Sequence, residues 1–217
     1  MISNDFIAVG VESGEIQFLD ARAGIGIVSS VTAHRDYISS LSLLPGKSRP
    51  QVISTGESTM SISDMRKGLI DESEDQQDEL LSSTFFEGRK PRVLTGGSTG
   101  FLTLFEMGHW GYGISQINVG KDSVDSLIPV ENMLLVSGGD GLRLVDVDAG
   151  ITRNTWASGQ EIACLDVKDG WIFAGMDRDL SVWRYDEKVE QKNKRAKKSK
   201  AKVQNSSMTQ KTFFAEL

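Results

Sequence analysis

Met133-Leu134-Leu135-Val136-Ser137-Gly138-Gly139-Asp140-Gly141-Leu142-Arg143-Leu144-Val145-Asp146 holds two apolar runs on either side of a glycine-rich reversal. The first run closes on Gly138. The second alternates apolar and other residues and ends on an acid, the period-2 mark of a half-buried strand. Asp140-Gly141 is a hairpin dipeptide, because glycine supplies the positive φ that turns one twisted strand back on the next.

The same unit recurs along the chain. Phe6–Gly10, Gln51–Gly56, Arg92–Gly96 and Trp171–Gly175 match the first run, and Glu15–Asp20, Met60–Asp64, Phe101–Glu106 and Leu180–Arg184 match the second. Their glycines step by 46 (10 to 56), 40 (56 to 96), 42 (96 to 138) and 37 residues (138 to 175). A further strand precedes each pair at Ile38–Leu44, Leu80–Phe86, Val124–Val130 and Ile162–Val167. Outer strands follow at Gly26–Val31, Ile114–Val119 and Ile151–Trp156. Four strands in roughly 40–45 residues is the blade of an all-β propeller. About five blades are expected, two of them partial: 1–32, then about 33–70, 71–120, 121–158 and 159–186. Phe6 opens at a second strand and the last blade stops at Tyr185, so an open or irregularly closed array is expected.

Ala33-His34 stands where a Gly-His pair opens many WD repeats. Trp183-Arg184 keeps the Trp of the Trp-Asp pair, while Ser63-Asp64 and Val145-Asp146 keep the Asp. The buried His–Ser/Thr–Asp–Trp network is therefore expected to be incomplete in every blade. Longer segments are more specific. Ser73–Leu81 (Ser-Glu-Asp-Gln-Gln-Asp-Glu-Leu-Leu) resembles an acidic run entering a strand in the WD repeat-containing protein 55 family. Ala33–Ser39 resembles that family's His-Glu-Asp-Tyr-Ile-Ser segment. Trp110-Gly111 followed by Asp122–Leu127 resembles its Trp-Gly pair and Ser-Val-Asp-Ala-Leu, and Phe213–Leu217 resembles its terminus. The resemblance implies a WD-repeat β-propeller, usually of seven blades, of which this sequence looks like the last five. It also implies nucleolar work in rRNA processing and large ribosomal subunit assembly.

Composition narrows the function classes. No run of 18 apolar residues is present, so no transmembrane helix is expected. Met1–Asp5 has neither a basic nor an apolar leader segment, so no secretory signal is expected. The single Cys164 excludes an internal disulfide and fits a reducing compartment. The net charge of −6 divides unevenly: residues 187–217 carry nine Lys/Arg and three Glu, leaving 15 basic and 27 acidic residues before them. An acidic body with a basic tail is two electrostatic objects on one chain.

Neither an enzyme, a cofactor site, a metal site nor a small-molecule substrate is expected. Two histidines and one cysteine do not make a zinc cluster. Gly96-Gly97 and Gly138-Gly139 lack the Lys-Ser/Thr of a phosphate loop. Three sets of residues are candidates for partner binding. The run Asp71–Glu79 has six acids, among them Glu74, Asp75, Asp78 and Glu79; it reads as a solvated loop between blades or a patch for basic ribosomal proteins or RNA-bound factors. Asp20-Ala21-Arg22 and Asp64-Met65-Arg66 are Asp-x-Arg sites after a third strand. They resemble the WD-protein box that docks on a cullin ubiquitin-ligase adaptor, without its Trp. Lys192, Lys194, Arg195, Lys197, Lys198, Lys200 and Lys202 form a basic cluster of seven in eleven residues. Such clusters read as nuclear or nucleolar targeting with weak RNA attraction. The tail is expected to be disordered, since little apolar surface is available to offset chain entropy, with Phe213 and Phe214 as an anchor for a partner pocket.

Overall fold

The computed structural model describes residues 6–24, 26–45, 51–139, 141–156 and 160–184. Among these there is no α-helix; one 3-10 turn, Ala21–Ala23, interrupts eighteen strands. The chain divides into two compact units, residues 1–167 with 173–181 and residues 168–172 with 182–217.

The first unit holds four successive blades. Blade 1 is β1 (Phe6–Gly10), β2 (Glu15–Asp20) and β3 (Gly26–Thr32). Blade 2 is β4 (Ser40–Leu44), β5 (Gln51–Gly56), β6 (Thr59–Asp64) and β7 (Gly68–Glu72). Blade 3 is β8 (Leu80–Phe86), β9 (Arg92–Gly97), β10 (Phe101–Glu106) and β11 (Ser115–Asn118). Blade 4 is β12 (Val124–Val130), β13 (Met133–Gly138), β14 (Gly141–Asp146) and β15 (Ile151–Trp156). Each is an antiparallel sheet in chain order. A further three-stranded sheet runs β16 (Cys164–Lys168), β17 (Trp171–Gly175), β18 (Leu180–Arg184). In the second unit the Arg184 guanidinium lies over the Trp171 ring, 5.9 Å from its centroid. This is the WD-repeat propeller fold that the repeat predicts.

Sheet pairing sharpens the phase of the repeat. Gly56, Gly97 and Gly138 end the second strands, 41 residues apart (56 to 97, 97 to 138), and Gly97 and Gly138 both pair with the first residue of the first strand, Leu80 and Val124. Gly96, taken from the sequence as the phase marker, lies one position earlier. β7 was not among the expected strands. Its residues Gly-Leu-Ile-Asp-Glu are mostly exposed and lack alternation. As an outer edge strand it needs no buried face, so it carries no period-2 signal. Asp71 and Glu72 are therefore strand residues rather than loop.

Burial explains why the second strands were the most legible. β5, β9 and β13 are buried at every position after the first, on both faces. One face packs on the preceding blade and one on the next, as three clusters show. Ile16, Phe18, Val31 and Ala33 meet Val52 between blades 1 and 2. Leu44, Ile53, Met60 and Ile62 meet Leu80, Val93, Phe105 and Trp110 between blades 2 and 3. Phe86, Leu94 and Leu102 meet Leu127, Leu134 and Val145 between blades 3 and 4.

Hydroxyls add a polar seam along the inner strands. Ser39 Oγ donates to the Leu80 carbonyl, Ser42 Oγ to the Ser83 carbonyl and Ser82 Oγ to the Val124 carbonyl. These pairs are separated by 41, 41 and 42 residues, one repeat in each case.

Candidate protein-interaction surface

Each blade has two ends. The turn joining second to third strand and the segment entering the first strand share one end; the turn joining third to fourth strand lies at the other. The acidic run and the Asp-x-Arg sites consequently sit at opposite ends of the sheets.

At the first end, residues 73–80 cross from blade 2 to blade 3 on a fixed backbone. The Ser73 N–H donates to the Met60 carbonyl, and the Ser73 Oγ accepts from the Met60 N–H. The Glu74 N–H reaches the Gly111 carbonyl, the Gln76 N–H the Ser58 carbonyl and the Leu80 N–H the Glu57 carbonyl. Gly111 is in place because its neighbour Trp110 is buried in the core between blades 2 and 3. The acidic run is thus a pinned crossing.

Its acids have different duties. Asp78 accepts from Ser98 Oγ (2.8 Å) and Thr99 Oγ1 (2.7 Å), clipping the entering segment to the turn of its own blade. Glu74, Asp75 and Glu79 are exposed. The Gln77 N–H and the Ser58 hydroxyl hold the Asp75 carboxyl below the usual carboxylate range. The Tyr37 hydroxyl donates to the Glu79 carboxylate, and that bond first, then partial burial, pushes the phenol up to about 12. Tyr37, Glu57, Asp75, Gln77 and Glu79 line a shallow concavity of about 440 Å³. Glu57 (φ 48°) and Gln77 (φ 58°) adopt the left-handed conformation, which costs a side-chain-bearing residue on the order of 1 kcal/mol. Sequence reasoning did not select Tyr37 or Glu57. The repeat phase carries the missing signal, since it places every second-to-third-strand turn at the end where the acidic run enters.

At the other end, Asp20 and Asp64 hold turns. Asp64 Oδ1 accepts from the Arg66 and Lys67 N–H groups, and Asp20 Oδ1 from the Arg22 N–H. The Arg22 guanidinium folds back on Asp20 at 3.2 Å, whereas Arg66 is exposed. Asp146 repeats the device, accepting from the Ala149 N–H and pairing with Arg153. The two Asp-x-Arg sites are therefore turn-forming elements at one position of the repeat.

His34 belongs to the first end but is buried. Its Nε2 lies 2.9 Å from Ser54 Oγ and its Nδ1 3.1 Å from Thr59 Oγ1. Burial lowers its pKa to about 4, with a hydrogen bond to the Ser54 backbone opposing the shift, so the imidazole is neutral near pH 7. Blade 2 keeps this His–Ser arm of the repeat network. Blade 3 does not: Thr95, at Ser54's register position, is buried with an unpartnered hydroxyl. Among the described residues no group of three His, Cys, Asp or Glu is arranged to hold a metal ion. Lys192, Lys194, Arg195, Lys197, Lys198, Lys200, Lys202, Phe213 and Phe214 lie outside the described residues.

Comparison with known proteins agrees with this architecture. The chain is 31% identical over 156 residues to a WD repeat-containing protein jip5 of Emericella nidulans, covering 61% of this chain and 38% of that protein. Identity to the Botryotinia fuckeliana protein of the same name is 39% over 137 residues, covering 54% of this chain and 31% of that one. The Phaeosphaeria nodorum protein is 28% identical over 208 residues, covering 86% and 45%. The chain thus spans less than half the length of these relatives. No family model matches it. Among solved structures, a chain of a mitotic checkpoint complex superposes with a TM-score of 0.73 at 16% identity, covering 84% of this chain and 60% of that one. A computationally designed protein, Ika8, gives 0.66 at 18%, covering 85% and 57%.

Proposed function

We propose that this WD-repeat chain is a non-catalytic scaffold whose acidic loop end binds basic segments of partner proteins, and that it works in the nucleolus during rRNA processing and assembly of the large ribosomal subunit. The observation that carries the scaffold reading is the pinned crossing at residues 73–80. Exposed carboxylates on a fixed backbone pay little ordering entropy when a cationic partner arrives. Glu57, Asp75 and Glu79 flank one concavity, and Tyr37 beside them adds the amphipathic ring favoured at interaction hot spots. The nucleolar assignment rests on the sequence resemblance, and it makes pre-ribosomal assembly factors and basic ribosomal proteins the partner class. The Lys192–Lys202 cluster would contribute import and weak, salt-sensitive RNA attraction.

Two experiments test this reading. Neutralising Glu57, Asp75 and Glu79 together (to Gln, Asn and Gln) is expected to weaken binding of an arginine-rich peptide by at least about tenfold, the effect of about 1.4 kcal/mol. Unchanged affinity in a fluorescence titration would remove the acidic face from the proposal. Replacing Lys194, Arg195, Lys197 and Lys198 with Ala is expected to move the tagged protein to the cytoplasm. Retention in the nucleolus would assign localisation to the propeller instead.

A further inference from the structure

The turn between third and fourth strands is short in blades 2 and 4, residues 65–67 and 147–150, and long in blade 3, residues 107–114. The neighbouring blades show that the fold does not need the extra length, and an insertion confined to one repeat is where a propeller places a binding loop. Trp110 accounts for part of it, because its side chain is buried between blades 2 and 3. Tyr112 and Ile114 do the opposite, at 68% and 52% exposed. Blade 3 packs on blade 2 through one face and on blade 4 through the other, so this exposure is that of a blade with both neighbours in place.

Tyr112 is exposed yet held on both sides. Before it, the Gly111 carbonyl accepts from the Glu74 N–H at 2.8 Å. After it, Gly113 lies so close to its own blade that a Cβ there would come within 2.2 Å of Thr103 Cγ2. The Ile114 N–H then donates to the Leu104 carbonyl at 2.7 Å. An aromatic ring on a backbone fastened in this way loses little freedom when a partner covers it. The same fastening brings the ring to the acidic crossing. Glu74, bonded to Gly111, is exposed, and Asp75 beside it in the chain lines the concavity with Tyr37, Glu57 and Glu79. Gln76 lies on this side too, its Oε1 3.4 Å from where a Cβ on Gly113 would stand.

We propose that Tyr112 and Ile114 form an apolar anchor site at the rim of blade 3, and that it serves the basic partner segments assigned to the acidic concavity, on whose scaffold reading it rests. The occupant is a segment of a partner protein in which an apolar side chain stands among the cations. Charge complementarity selects the cations, because the apolar pair adjoins Glu74 and Asp75, whose carboxylates repel an acidic chain and attract a basic one. The apolar pair selects the residue between them. Exposed carboxylates alone hold any cationic chain, and salt screens that attraction. Contact with a fixed aromatic ring discriminates by side-chain shape and persists in salt. The insertion thus supplies the sequence selectivity that the carboxylates lack.

The test uses the full 217-residue chain and two fluorescein-labelled peptides, Arg-Gly-Arg-Leu-Arg-Gly-Arg and the same peptide with Ser in place of Leu. The Leu peptide is expected to bind at least about tenfold more tightly, the effect of one buried anchor, and to keep that advantage as salt is raised. Tyr112→Ala abolishes the preference and leaves the affinity of the Ser peptide as it was, whereas Tyr112→Phe retains the preference. Ile151→Ala, at an exposed site on the outer strand of blade 4, changes neither affinity. Melting curves stay the same throughout, because these side chains are exposed. Equal affinity for the two peptides, or a preference that survives Tyr112→Ala, overturns the anchor even where the Ser peptide still depends on Glu57, Asp75 and Glu79. A preference lost with Tyr112, in a chain whose affinity for both peptides is indifferent to those three acids, removes the acidic face and leaves the anchor. Binding of neither peptide overturns both. A concentration-dependent dimer abolished by Tyr112→Ala also overturns the proposal, since the occupant is then a second copy of the chain.

Discussion

Blades 2 and 3 perform the same task with different chemistry. Both must fasten the segment entering their first strand to the turn between their second and third strands. Blade 2 does it from inside, with a buried neutral imidazole between Ser54 and Thr59. Blade 3 does it from the rim, with the Asp78 carboxylate on Ser98 and Thr99. The rim clip leaves Thr95 buried without a hydrogen-bond partner, where blade 2 has a satisfied Ser54. The second strands of the two blades are nonetheless buried alike. Apolar burial sets the blade, and the polar clip is an interchangeable fitting.

The largest expected effect follows from the buried clip. His34→Ala leaves two hydroxyls unsatisfied and opens a void, and is expected to cost about 3 kcal/mol in a denaturant titration. A loss under about 1 kcal/mol would mean that blade 2 does not depend on its imidazole.

Acid should act through the same residue. The folded pKa of about 4 lies below the ordinary 6.5, so the unfolded chain takes up the proton first. The stabilisation from neutral His34 is complete above pH 6.5 and is lost as pH falls towards 4. The total is about 3 kcal/mol, at roughly 1.4 kcal/mol per pH unit. The His34→Ala variant should lack this component of its pH profile, and an identical profile in both proteins would assign the acid sensitivity elsewhere.

Smaller effects are expected in blade 3. Asp78→Ala removes a clip made at the surface and is expected to cost about 1–2 kcal/mol. Thr95→Val keeps the side-chain shape and deletes the unpartnered hydroxyl, so its midpoint should rise by the equivalent of about 1 kcal/mol. A fall would show that the hydroxyl has a partner in solution. The smallest change concerns Glu57 at φ 48°. Glu57→Gly relieves left-handed strain and should stabilise by under about 1 kcal/mol while weakening cation binding. That opposition would mark the residue as kept for its charge.

How much was legible follows from the same contrast. Wherever a strand is buried on both faces, as at Leu134–Gly138, its apolar run announced it and the repeat spacing followed. β7 was invisible because an edge strand with exposed Leu69 and Ile70 carries no alternation. The candidate surface was half legible. The acidic run could be read, but its partners Tyr37 and Glu57 are brought to it by pairing between distant segments, for example Tyr37 with Glu79, 42 residues apart. The turn-capping duty of Asp20 and Asp64 was not legible, because an exposed acid and an acid capping a turn are spelled alike.

The hydroxyl seam bears on how the chain would come apart. Ser39–Leu80, Ser42–Ser83 and Ser82–Val124 all join positions one repeat apart, and the main sheet-to-sheet contacts also join neighbouring blades. Among the described residues these hydroxyl bonds and main contacts each join one blade to its neighbour, so the loop-closure entropy of each such docking event is that of about forty residues, whatever the length of chain already folded. Under tension applied to its ends, such a molecule yields as a row of separate fasteners. Each rupture releases one repeat, about 140 Å of contour at roughly 3.5 Å per residue, and the sawtooth spacing in a force–extension trace would measure the repeat length directly.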